Sequence, residues 1–137
     1  LKEEIKVSVT QFNPESLAPP IGFSHAVLGE GKFIYLAGQT ALSKDNVIVG
    51  ETIVEQFEKA LSSLCLSLEA AGGTPKDLVK ITIFSVDPAD YRANSRAIGK
   101  IWQSLIGKNF PAMTLVGVTR LWDEEALVEI DGVACIS

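Results

Sequence analysis

The longest regular pattern in the chain is helical. Val54, Phe57, Leu61, Leu64 and Leu68 recur at steps of three and four residues, which places them on one stripe of a helix. Thr52 and Glu55 have the spacing of a capping box, and Gly72-Gly73 followed by Thr74-Pro75 ends the helix. A second, weaker stripe of Tyr91, Ile98, Ile101 or Trp102, and Leu105 follows Asp87-Pro88, an N-cap aspartate with proline at the first helical position. Gly107 and Pro111 close it.

Around these helices the pattern alternates with period two, as strands do. IKVSVT (5–10) is one such run. After FNPESLAPPIG, whose three prolines exclude regular structure, SHAVLGEGKFIYLAGQ predicts a hairpin of two strands turning at Gly29-Glu30-Gly31. VKITIFSV (79–86) predicts a strand with Val79, Ile81 and Ile83 on one face. AMTLVGV (112–118) and ALVEIDGVACI (126–136), joined by TRLWDEE, complete the chain. With no repeat or linker, residues 1–137 read as one domain, a run of strands followed by helix, strand, helix, strand and strand. Phe33, Ile34, Tyr35 and Leu36, or Leu115, Val116 and Val118, are apolar on both strand faces. Two helices cover one face only, so the other expects a second copy of the chain.

Composition agrees. Hydrophobic residues make up 47% of the 137 positions and mean hydropathy is +0.24, yet no apolar run reaches membrane-span length. A net charge of −5 and a pI near 4.8, without a basic run, argue against nucleic-acid binding. LKEEIKVSVT has no apolar signal-peptide core, so a cytoplasmic protein is expected. Cys65 and Cys135 have neither disulfide-framework nor metal-ligand spacing and read as reduced thiols.

Candidate chemistry is sparse. His25 is the only histidine, and the Ser24-His25 neighbours point to opposite strand faces, so it is either a polar loop or pocket-wall residue or a ligand contact. Asn13, Gln39 and Asn109 are amides near loops with structural hydrogen bonding as their default. In LVEIDGVA, Glu129 and Asp131 leave one face of a strand while Val128 and Ile130 take the other. Two carboxylates on a sheet face are costly unless solvated or hydrogen-bonded, which a water-filled cleft would provide. Arg120, on the preceding turn, is a candidate counter-charge.

AGQT (37–40), LEAAGG (68–73), VKITIF (79–84), FPAMT (110–114), VTRLW (118–122) and VEIDGVA (128–134), in this order and spacing, resemble the RidA/YjgF family. The resemblance runs from about Gln11 to the end. It implies a chorismate-mutase-like α+β fold, a mixed six-stranded sheet with two helices on one face, and a homotrimer with a central barrel and small-molecule clefts between subunits. It also implies no metal or organic cofactor. Many such proteins hydrolyse enamines or imines released by pyridoxal-phosphate enzymes, giving a keto acid and ammonia. The family's water-handling glutamate matches Glu129, but Met113 stands where an arginine grips the substrate carboxylate. Phe23 and Ala37 stand where the family has a tyrosine and a serine.

By strand period Met113 and Leu115 share a face, which by the resemblance looks into the cleft. The expected function is therefore a deaminase-type hydrolase that does not act on ordinary 2-imino acids. The alternatives are a non-catalytic metabolite-binding trimer using the same cleft and, suggested by older family labels, an endoribonuclease or translation inhibitor.

Overall fold

The computed structural model of the chain describes residues 8–137. The first three positions of the strand expected over 5–10 lie outside them; the described part gives β1 (Val9–Phe12). There follow β2 (Ala26–Gly29), β3 (Lys32–Gln39), α1 (Ile53–Ala70), β4 (Leu78–Ser85), α2 (Pro88–Ala93), α3 (Ser95–Leu105), β5 (Ala112–Gly117) and β6 (Val128–Ile136).

α1 forms where the apolar stripe placed it. Thr52 accepts a hydrogen bond from the Glu55 amide at 3.2 Å, while the Glu55 carboxylate reaches back to the Glu51 amide at 3.3 Å. Phe57, Leu61, Leu64 and Leu68 are fully buried, each contributing about 1.5–3 kcal/mol of transfer free energy. Gly72, at φ 90°, supplies the left-handed stop. The second helix divides in two: Asp87 caps α2 by accepting from the Asp90 amide at 3.1 Å, and Asn94 interrupts it. The Asn94 side chain donates to the Asp90 carbonyl at 2.9 Å, a local bond of the kind that competes with helix continuation.

The six strands form a four-stranded mixed sheet in the order β3-β6-β4-β5, with only β4 and β5 parallel, and a separate two-stranded ribbon of β1 and β2. α1 and α3 lie on one face, over Ile81, Ile83, Val128 and Ile130. Gln56 of α1, almost fully buried, ties this layer to the loop before β6. It donates to the Gly50 and Glu125 carbonyls at 3.1 and 3.0 Å and accepts from the Leu127 amide at 2.7 Å.

Two strand expectations are corrected. The turn at Gly29–Gly31 exists, with Gly31 at φ 128°, but β2 and β3 do not pair. The chain runs from Ser24, bridged to Ala112 at the start of β5, to Gly29, which lies against Val79 of β4 and Cys135 of β6. It therefore crosses one end of the sheet to the far edge, and β6 takes the hydrogen bonds of β3. Val79 does not share a face with Ile81 and Ile83. A bulge between Leu78 and Lys80 puts Leu78 into the buried row in its place.

Beyond the crossing chain, nothing among the described residues covers the second sheet face. Phe33 and Tyr35 are 54% and 79% exposed there, matching the two-faced apolar strands of the sequence.

Candidate functional site

Sheet register fixes which side chains can meet. Ile83 of β4 stands between Leu115 of β5 and Ile130 of β6, a row under the helices. Phe84, next along, stands between Val116 and Glu129, a row on the open face. Met113 is opposite Ile81 and so belongs with Leu115 on the helix side. Glu129 and Met113 therefore leave opposite faces of one sheet.

The open-face group is built on β6 and the end of β3. A bulge between Leu36 and Gln39 puts Ala37 and Gly38 in the stretch of β3 beside Glu129. The absence of a side chain at Gly38 is used: a β-carbon there would overlap the Glu129 carboxylate. Ala37 is exposed, and Gln39 stands opposite Ile130 rather than Glu129. Glu129 is half-buried, and among the described residues no hydrogen bond or ion pair engages its carboxylate. Burial pushes its pKa up, and the Asp131 and Asp123 carboxylates push it further in the same direction. The arrangement suits a proton acceptor or a group that holds water and attracts cations.

Arg120 does not balance these acids. It pairs with Glu124 at 3.3 Å through Nη1, and its Nε and Nη2 donate to the Leu121 and Trp122 carbonyls at 3.1 Å each. His25 is likewise occupied: Nε2 lies 2.7 Å from the Ala18 carbonyl, its backbone amide donates to Asn13 Oδ1 at 2.8 Å, and its ring packs edge-on to Phe23. It pins the proline-rich loop. Asn13 and Asn109 keep their structural role, the latter donating to the Pro75 carbonyl at 2.7 Å and accepting from Gln11 at 2.7 Å.

The helix-side group lines a cavity of about 630 Å³ between α3 and β5. Phe57 and Ile83 contribute to its inner wall, Ile98 and Trp102 come from α3, and Met113 and Leu115 from β5. Phe23, on the loop before β2, joins the same wall. Tyr91 also lines it, edge-on to Phe57 at 6.0 Å, and burial pushes its phenol up to about 12, so it stays protonated. The α3 lining was legible only as a core stripe, because a cavity wall and a core face have the same period. Asp123 carried no signal, since turn residues have no periodicity from which a direction can be read.

Among the described residues no helix is long and apolar enough to cross a membrane, and no cluster of His, Cys, Asp or Glu is arranged to hold a metal ion. Residues 14–136 match the family described as Endoribonuclease L-PSP. A RutC family protein of Pyrococcus horikoshii is 30% identical over 121 residues, 88% of this chain and 92% of that protein. A protein of Dermatophagoides farinae named 2-iminobutanoate/2-iminopropanoate deaminase is 32% identical over 122 residues, 88% of this chain and 91% of its own length. The crystal structure of a Rid-family protein of unknown function from Yersinia pestis superposes with a TM-score of 0.86 at 33% identity, covering 95% of this chain and all of that one.

Proposed function

The chain belongs to the Endoribonuclease L-PSP family, also called RidA/YjgF, and from that membership we propose that it hydrolyses imines or enamines that carry no carboxylate. The observation that supports this most is Glu129, a half-buried carboxylate with no partner among the described residues and a raised pKa, beside two further acids. Imine hydrolysis passes through a protonated iminium, whose positive charge such a cluster favours. Glu129 takes a proton from water as the water oxygen bonds to the iminium carbon. That proton then goes to nitrogen; as the C–N bond breaks, the hydroxyl of the adduct gives its own proton back to Glu129, and a ketone and ammonia leave. A carboxylated substrate would bring an anion to three acids and meet Met113 in place of an arginine. Each charge-assisted hydrogen bond so lost is worth ~1.5–3 kcal/mol.

Because Glu129 and Met113 leave opposite faces, one cleft can hold both only if two subunits form it. One chain would supply Glu129 and its neighbour Met113, Leu115 and Phe23, within a homotrimer in keeping with the uncovered sheet face. A cytoplasmic protein acting without metal or organic cofactor fits this chemistry.

Turnover of a carboxylate-free model imine, corrected for spontaneous hydrolysis and lost in Glu129→Gln, is the expected result. Binding without turnover in the wild type would favour a metabolite-binding trimer instead, a role for which the apolar cavity alone suffices. The RNA-cleaving role in the family's name finds little support in a chain with a net charge of −5.

A further inference from the structure

The cavity between α3 and β5 has a property that the Glu129 side of the sheet lacks. Of the described residues lining it, none is an acid, a lysine, an arginine or a histidine. Its polar side chains are neutral, namely Tyr91, Ser95 and Gln103; Thr114 lends only backbone, since its hydroxyl accepts from Lys80 on the open face. An ion entering it would lose hydration and find no opposite charge. Its volume of about 630 Å³ lies within the range that encloses small organic ligands, roughly 300–1,000 Å³.

Gly99 adds an independent observation. It stands inside α3, where glycine is the least favourable residue short of proline, and its φ is not positive. A β-carbon built on it meets nothing within 4 Å. No contact among the described residues requires glycine there. What its missing side chain leaves open is the cavity, whose wall it forms.

We propose that this cavity is a preformed site for an uncharged ligand with an aromatic or branched hydrocarbon body, kept open by Gly99 and closed to carboxylates. The apolar walls from Phe57, Ile98, Trp102 and Met113 take the hydrocarbon, and the neutral hydroxyl and amide groups take one carbonyl or imine end. For turnover the occupant must also reach Glu129, so its role as substrate rests on the hydrolytic proposal above; its binding does not.

The test measures binding without catalysis. The chain has two tryptophans, Trp102 in the cavity wall and Trp122, which is 90% exposed. In Trp122→Phe, which serves as the reference protein, Trp102 alone reports. Titration with 4-phenyl-2-butanone is compared with titration by 2-oxo-4-phenylbutanoate, which differs in carrying a carboxylate in place of a methyl group. The expected result is saturable quenching with a Kd roughly ten-fold or more lower for the neutral ketone. Gly99→Leu, added to the reference, fills the cavity and weakens the neutral ketone by about ten-fold or more. Saturable binding in which the carboxylated ketone equals or exceeds the neutral one overturns the proposal. So does the absence of saturation with either, or a folded Gly99→Leu protein with unchanged affinity. Should Gly99→Leu not fold, Met113→Arg decides: a preference turned towards the carboxylated ketone supports the site, and an unchanged preference overturns it. Loss of turnover with binding intact would count against the hydrolase alone.

Discussion

Gly38→Ala should separate the seat of Glu129 from the stability of the fold. Gly38 has no positive φ, so alanine is free to adopt its backbone conformation. The new methyl would overlap the carboxylate of Glu129 and stand 2.9 Å from Cδ and 3.1 Å from Cγ. These are the far atoms of a flexible side chain, so the carboxylate swings away and the backbone stays. The displaced rotamer costs about 0.5–1.5 kcal/mol. The lost chain entropy of glycine in the unfolded state offsets about 0.4–1 kcal/mol of that. Net stability should therefore stay within ~1 kcal/mol of wild type. Catalysis is less tolerant, because a shift of about 1 Å in a reacting group costs on the order of a hundred-fold. A general base contributes about 10²–10⁴-fold in all. The measurements are urea unfolding and steady-state hydrolysis of a carboxylate-free imine. A folded Gly38→Ala protein with kcat within about two-fold of wild type would refute the assignment of Glu129. A loss of activity that only follows the unfolded fraction would refute it equally.

Three further outcomes are expected. Gln56→Ala should destabilise the domain by about 2–4 kcal/mol in urea unfolding, because it strips the part-buried Leu127 amide and two carbonyls of their partner. Glu129→Gln should raise the melting temperature at neutral pH. The folded-state pKa of Glu129 lies above its ordinary value of 4.5, so the folded protein holds this proton more tightly than the unfolded chain. Wild-type stability thus falls as pH rises through that interval, and the advantage of the variant should vanish below it; an advantage that persists in acid would contradict the cause assigned. Light scattering at micromolar concentration should give about three times 14.7 kDa, and a stable monomer would remove the inter-subunit cleft.

Much of this fold was legible in the chain because local rules decide it. The α1 stripe, its Thr52 cap and the Gly72 stop need only neighbours within a few residues. So does the alternation that sends Val128 and Ile130 one way and Glu129 and Asp131 the other. What was hidden depends on partners distant in sequence. The glycines at 29 and 31 announce a turn but not whether the strands they join will pair; contact with Val79 and Cys135 decides that. Period two fixes the relative faces of Met113 and Leu115, but their phase against Glu129 is set through β4, by the pairings of Ile83 and Phe84. The bulge at Val79 reverses a face by a single residue, and no composition rule announces it.

The opposed directions of Glu129 and Met113 have a genetic consequence. If each cleft joins the acid of one subunit to the cavity of the next, two chains damaged in different halves can repair one another. A Glu129→Gln chain keeps a sound cavity, and a Gly99→Leu chain keeps a sound acid. Co-expressed in equal amounts and assembled at random in a ring, about one junction in four would pair the two intact halves. Two impaired alleles would then yield roughly a quarter of normal activity from the repaired junctions, whereas a site contained within one subunit would yield no more than the two alleles give separately.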